Sequence, residues 1–283
     1  MRNLKIDLNN LHNDGLKELF QSLEEAFKVL DVDFYLIGAL ARDIWFLGNS
    51  QSRVRGTKDV DFAVFIARES QFEELKEYLI THKGFRVHST NSFVFFSPKN
   101  IQIDILPFGQ LEVEDGVTVS GKGLTSIKVN GFKEVYESGT NDVTLFEEKI
   151  YKIATLPSIV LLKLISYDDR PEVRIKDPED ILSILKYYFD LNDEFVFDNH
   201  PDTLELIDNG QEWVAARVIG REIASIISQN EKLKLRVLSI LERETNPESR
   251  MAEIMTRSND KYSVDTCVGL LKNILEGIHE RIK

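Results

Sequence analysis

Asp59 and Asp61 stand two apart in the run Asp59-Val60-Asp61-Phe62-Ala63-Val64-Phe65-Ile66. Side chains alternate along an extended strand, so both carboxylates point to one face while Val60, Phe62 and Val64 point to the other. Like charges that close repel, and a divalent cation between them is the common solution. Asp104 lies in a second such run, Ile101-Gln102-Ile103-Asp104-Ile105-Leu106, with isoleucines on one face and Gln102, Asp104 and Leu106 on the other. Three strand-borne carboxylates are hard oxygen donors, suited to Mg²⁺ held together with a phosphate-bearing substrate. With no ligand in view, the same residues are the solvent-facing side of a one-sided sheet. Upstream, Gly38-Ala39-Leu40-Ala41-Arg42-Asp43 follows a strand and opens a helix, a place where backbone N–H groups and the helix dipole receive a phosphate.

The elements that must position these groups are legible from hydrophobic spacing. Leu16, Leu19, Phe20, Leu23, Ala26, Phe27 and Leu30 recur at three- and four-residue steps, which predicts an amphipathic helix over 13–30. A short strand at 33–37 leads to Gly38 and a helix to about Leu47, then a polar, basic loop, 49–58, before the Asp59 strand. A helix over 70–83 ends at Gly84. Strands at 92–96 and 101–106 are joined by Ser97-Pro98-Lys99-Asn100, which has the composition of a hairpin turn. From 112 to 154 the pattern is short strands broken by glycine, and after Pro157 it is almost wholly helical. The expected class is α+β: an α/β domain, 1–155, with a mixed sheet flanked by helices, followed by a mostly helical domain, 156–283, with the active site in the cleft between them.

A strand, Gly38-Ala39, a helix, a basic loop, Thr57-x-Asp59-x-Asp61 and a later Asp104 together resemble the DNA polymerase β-like nucleotidyltransferase superfamily. The resemblance implies two-metal nucleotidyl transfer from an NTP. Asp59 and Asp61 would hold both Mg²⁺ ions, and Asp104 would help bind the catalytic one and take the acceptor's proton. Gly38, Ala39, Arg42, Arg55 and Thr57 would bind the nucleotide. Many members carry Gly-Ser or Gly-Gly at the turn; Gly38-Ala39 leaves the work to backbone N–H groups.

Lys163 sits in Leu156-Pro157-Ser158-Ile159-Val160-Leu161-Leu162-Lys163-Leu164-Ile165, a helix apolar nearly all round, where an ammonium must snorkel or meet a negative partner. In Lys176-Asp177-Pro178-Glu179-Asp180, Asp177 reads locally as an N-cap with Pro178 at the first helical position. The order Gly38-Ala39, Arg55-Gly56-Thr57-Lys58-Asp59-Val60-Asp61-Phe62, Leu161-Leu162-Lys163-Leu164 and Lys176-Asp177-x-x-Asp180-Ile181 looks like the AbiEii-type nucleotidyltransferase toxins, effector halves of type IV toxin–antitoxin and phage-defence systems. That resemblance, over about residues 30–190, implies that Lys163 binds nucleotide phosphates. It also implies that Asp177 or Asp180 orients Lys163 or acts as a base, that RNA such as tRNA is the acceptor, and that an antitoxin acts indirectly.

Composition bounds the rest. The 283 residues carry a net charge of −12, and because residues 211–283 hold 12 Lys/Arg and 11 Asp/Glu, the first 210 carry −13. Such a chain does not coat nucleic acid by bulk charge, although Arg53, Arg55 and Lys58 form a local basic stretch beside the carboxylates. The longest mostly apolar run, 156–165, is far short of the ~20 residues of a membrane span, and 1–5 has no signal-peptide core, so the expectation is a cytoplasmic protein with no membrane partner. One cysteine, Cys267, and five scattered histidines make no disulfide or zinc pattern. Gly116-Val-Thr-Val-Ser-Gly121-Lys122 matches the start of a P-loop, but Gly123 stands where Ser or Thr should be and a strand pattern follows. The Gly38 turn also resembles tRNA CCA-adding enzymes, whose Arg-Arg-Asp-Phe-Thr run is missing after Phe65. An antibiotic nucleotidyltransferase acting on a cationic drug, and an inactive homologue that only binds nucleotide or a partner, remain as alternatives.

Overall fold

The computed structural model describes residues 4–5, 15–48, 59–146, 149–257 and 261–282. The chain divides into two compact units, one of Met1–Tyr136 with Thr140–Thr155, the other of Glu137–Gly139 with Leu156–Lys283. The first unit is built on an eight-stranded mixed sheet of order β1-β9-β10-β2-β3-β6-β5-β4. Its strands are β1 (Leu4–Lys5), β2 (Phe34–Ile37), β3 (Asp59–Phe65), β4 (Arg86–His88), β5 (Asn91–Phe96), β6 (Gln102–Phe108), β9 (Thr140–Leu145) and β10 (Lys149–Ala154), with helices α1 (Leu16–Val29), α2 (Gly38–Leu47), α3 (Glu69–Lys83) and α4 (Phe132–Ser138). A separate two-stranded sheet pairs β7 (Gly116–Thr118) with β8 (Ser126–Lys128).

The apolar stripe of α1 is buried on the sheet: Phe20 and Phe27 meet Phe62 at ring-centroid distances of 5.3 and 6.2 Å. Phe72 of α3 meets Phe93 of β5 at 6.1 Å. Phe62 and Phe93 both belong to the face opposite the carboxylates, because Val94, not Phe93, pairs with Asp104. Two helices therefore load one face, and each buried aromatic there contributes on the order of 2 kcal/mol. Gly84, in the left-handed region at φ 68°, ends α3, and Asn100 at φ 60° turns β5 into β6.

The other face is divided lengthwise. At its Phe65 end, Tyr35, Phe65, Phe108 and Tyr136 form an aromatic cluster, with Tyr35 on Phe108 at 5.7 Å and its hydroxyl donating to Phe132 O at 2.8 Å. Asp59, Asp61 and Asp104 stand at the opposite end. The α4 helix lies in the stretch read from sequence as strands only; seven residues are too few for a helical period to stand out against the glycines around it.

The second unit is helical: α5 (Leu156–Asp169), α6 (Lys176–Leu191), α7 (Asp193–Asn199), a 3-10 segment (Pro201–Asn209), α8 (Gln211–Ile227), α9 (Glu231–Glu244), α10 (Arg250–Thr256) and α11 (Val264–Arg281). Helices α8 and α11 cross with backbone against backbone. A Cβ on Gly220 would stand 2.1 Å from Ile274 O, and one on Gly277 2.2 Å from Arg217 O. Arg217 and Arg221 flank that crossing and pair with Glu276, Glu280 and Asp202. Asn230, Ser249 and Ser263 cap α9, α10 and α11 through their side chains. Among the described residues, no helix is long and apolar enough to cross a membrane.

Candidate active site

Asp61 of β3 and Asp104 of β6 are direct partners in the parallel register, and Asp59 pairs with Gln102 one step along the same face. Partners on adjacent strands lie about 5 Å apart, so Asp61 and Asp104 are side by side. All three carboxylates are half-buried, while Val60, Phe62, Ile103 and Ile105 are fully buried behind them. Gln102 donates from its amide to Asp104 Oδ1 at 3.1 Å. Strand alternation alone puts Gln102 on the carboxylate face, and the hydrogen bond gives it a partner there.

The glycine turn is packed onto this group. Ile37, the last residue of β2, pairs with Asp61, which brings Gly38 alongside. Gly38 has φ 73°, and a Cβ there would fall 2.1 Å from Asp61 Oδ2. Only glycine fits, for conformation and for space. The start of α2 has no side-chain cap, and the first amides of a helix have no partner within it. Arg42 is buried, with its guanidinium on Asp43 Oδ1 at 2.9 and 2.7 Å. Arg55, Thr57, Arg53 and Lys58 lie outside the described residues.

A cation fits this donor set. A phosphate received at Gly38–Ala39 would meet the negative charge of Asp61, and a divalent ion relieves that repulsion. Among the described residues, no three His, Cys, Asp or Glu side chains enclose an ion by themselves. Mg²⁺ does not need such a cage, since it is ordinarily held by one or two carboxylates with water and substrate phosphates.

In the second unit, Lys163 Nζ donates to Asp177 Oδ1 at 2.8 Å and to Asp180 Oδ2 at 2.7 Å. Both aspartates accept from the lysine ammonium, where the sequence named them as alternatives. Asp177 is not an N-cap: α6 starts at Lys176, two residues before Pro178, and the Asp177 carboxylate turns to Lys163 instead. Its Oδ2 is buried with no hydrogen-bond partner among the described residues. Burial pulls the Lys163 ammonium down, but the two carboxylates outweigh it and hold the group above its ordinary value of 10.5. The pair therefore contributes stability that is fully present below pH 10.5 and is lost as pH rises through the higher folded-state value. Lys163→Met is expected to cost about 3 kcal/mol at neutral pH. In urea melts, the gap to wild type should narrow above pH 10.5.

The P-loop-like glycines have a packing explanation. A Cβ on Gly121 would meet Ser92 Oγ at 2.0 Å, and one on Gly123, at φ 75°, would meet Thr90 O at 2.0 Å. They let this loop press onto the β4–β5 turn, and strand β8 follows rather than a helix. Cys267 is buried and its thiol is pushed up to about 11 by that burial, which removes it as a nucleophile at neutral pH.

No family model and no curated protein matches the chain. Solved structures similar to it include the antibiotic-resistance factor ANT(2'')-Ia, at 14% identity and TM-score 0.35 over 57% of this chain and 77% of that one. An antigenic nucleotidyltransferase-like protein from Paracoccidioides brasiliensis matches at 15% and 0.38 over 61% and 76%. The Thermotoga maritima CCA-adding enzyme, in complex with tRNA, matches at 14% and 0.30 over 99% and 85%.

Proposed function

We propose that the chain is a divalent-metal-dependent nucleotidyltransferase that moves a nucleoside monophosphate from an NTP to an acceptor hydroxyl on RNA, such as tRNA. The setting is a cytoplasmic toxin or phage-defence effector of the AbiEii type, with an antitoxin acting indirectly. The observation that carries this reading is the packing of a positive-φ glycine turn against Asp61, itself in register with Asp104. Asp59, Asp61 and Asp104 would hold Mg²⁺, which when bound supplies charge neutralisation at the α-phosphate. The amides at 38–40 would receive the triphosphate. Asp104, which accepts a hydrogen bond from Gln102, would take the proton of the attacking hydroxyl. Lys163, steadied by Asp177 and Asp180, would bind nucleotide phosphates.

A small cationic acceptor is the second reading, favoured by the charge of −13 over residues 1–210. Purified protein with Mg²⁺, each α-labelled NTP in turn and total cellular RNA decides between them. Label on a tRNA-sized band with wild type, and none with Asp61→Ala, is the expected result. Pyrophosphate release only with an aminoglycoside-like amine would favour the second reading. Equal labelling by the Asp61→Ala variant would overturn the metal-site assignment.

A further inference from the structure

The row of register partners that starts at Asp59 continues past the carboxylates. Asp59 pairs with Gln102, Gln102 with Phe96 of β5, and Phe96 with Arg86 of β4. Directly opposite residues share a face of the sheet. Phe96 and Arg86 are thus on the carboxylate face, two and three strand spacings from Asp59, about 10 and 15 Å away. Helix α3 packs on the reverse face here, through Phe72 and Phe93. Phe96 is half-buried, and Arg86 and His88 at the sheet edge are exposed. The Arg86 guanidinium stands 5.7 Å from the Phe96 ring centroid, and the His88 ring lies 6.0 Å from it at 35°.

We propose that Phe96, flanked by Arg86 and His88, is the stacking platform for the terminal nucleobase of the acceptor. This rests on the nucleotidyltransferase reading and names which substrate lies on which side. Across the sheet the order is Gly38 at the end of β2, then Asp59 and Asp61 on β3, Asp104 on β6, Phe96 on β5 and Arg86 on β4. With the triphosphate received at the Gly38 turn, pyrophosphate leaves on the β2 side. In-line displacement then requires the attacking hydroxyl on the opposite side of the α-phosphate, toward β6 and β5. That is where Asp104 stands, and the next partner outward on the neighbouring row is the Phe96 ring. The separation suits a nucleotide whose hydroxyl is at the metal carboxylates and whose base reaches across its ribose to the ring. An aromatic face accepts any base, and a guanidinium beside it adds attraction for the π-system and for a flanking phosphate. A polycationic small acceptor would instead meet the like charge of Arg86.

Binding without turnover tests this, using wild type, Phe96→Leu, Phe96→Trp and Asp61→Asn with a single-stranded oligoribonucleotide and, separately, each NTP. Phe96→Leu is expected to weaken the oligoribonucleotide on the order of tenfold while NTP affinity stays unchanged. Phe96→Trp should bind as wild type, and its added indole emission should be quenched by the oligoribonucleotide. Coincident melting curves check the fold, since Phe96 is half-buried at a strand end. Wild-type RNA affinity in Phe96→Leu together with an unquenched Phe96→Trp overturns the platform. A loss confined to NTP also overturns it, because the ring would then serve the donor base. In a separate labelling assay with Mg²⁺ and an α-labelled NTP, Asp61→Asn that transfers label as wild type would instead overturn the nucleotidyltransferase reading itself, and the platform with it.

Discussion

Asp61→Asn is expected to lower the transfer rate by at least ~10³-fold while leaving the melting temperature equal to or above that of wild type. Several kcal/mol of transition-state charge stabilisation is the usual contribution of a metal at a phosphoryl centre, and about 4 kcal/mol corresponds to that factor. Asp61 is the carboxylate that lies both in register with Asp104 and against the Gly38 turn, so under the proposed function its loss would separate a bound cation from the phosphate. Stability moves the other way because one member of a repelling group has been neutralised without opening the apolar layer behind it. Single-turnover rates with an α-labelled NTP, read beside thermal melts, measure both. A rate within tenfold of wild type would remove Asp61 from the site.

Gly38→Ala should have the second largest effect, and for a different reason. The new Cβ would sit 2.1 Å from Asp61 Oδ2 and 2.8 Å from Asp61 Cγ, at a backbone φ of 73°. The left-handed conformation alone costs an alanine about 1 kcal/mol, and forcing the carboxylate aside adds about 1–3 kcal/mol of overpacking. Transfer is expected to fall by roughly 10²-fold, since a displacement of about 1 Å at a reacting centre has that consequence. In an Asp61→Ala background the same substitution should cost only about 1 kcal/mol, the backbone share, because the carboxylate it collides with is gone. Additive stabilities in this double-mutant cycle would show that the two residues do not touch.

Much of the candidate site was legible in the sequence because strands and helices carry their periods in the side chains. Alternation in 59–65 and 101–106 was enough to place Asp59, Asp61 and Asp104 on polar faces, and β3 and β6 carry them that way. The stripe of α1, the αL stop at Gly84 and the β5–β6 turn follow from local rules of the same kind. The α4 helix did not, because seven residues offer no period to read. The N-cap reading of Asp177 failed because a local rule competed with a buried ammonium fourteen residues upstream, and the charge pair won.

Alternation assigns a face within one strand and says nothing of which strand is its neighbour. That β3 lies beside β6 in parallel, with Asp61 opposite Asp104 rather than one residue out of step, is a property of the assembled sheet. So is the antiparallel β2, which delivers Gly38 to the Asp61 carboxylate, and the β5–β4 edge, which brings Phe96 and Arg86 into the row of Asp59. Sequence by itself determined the residue types, their faces and the helical character of the second half. The tertiary structure decided which of those residues touch, because register is set by the packing of all strands against α1 and α3 at once and leaves no mark on any one segment.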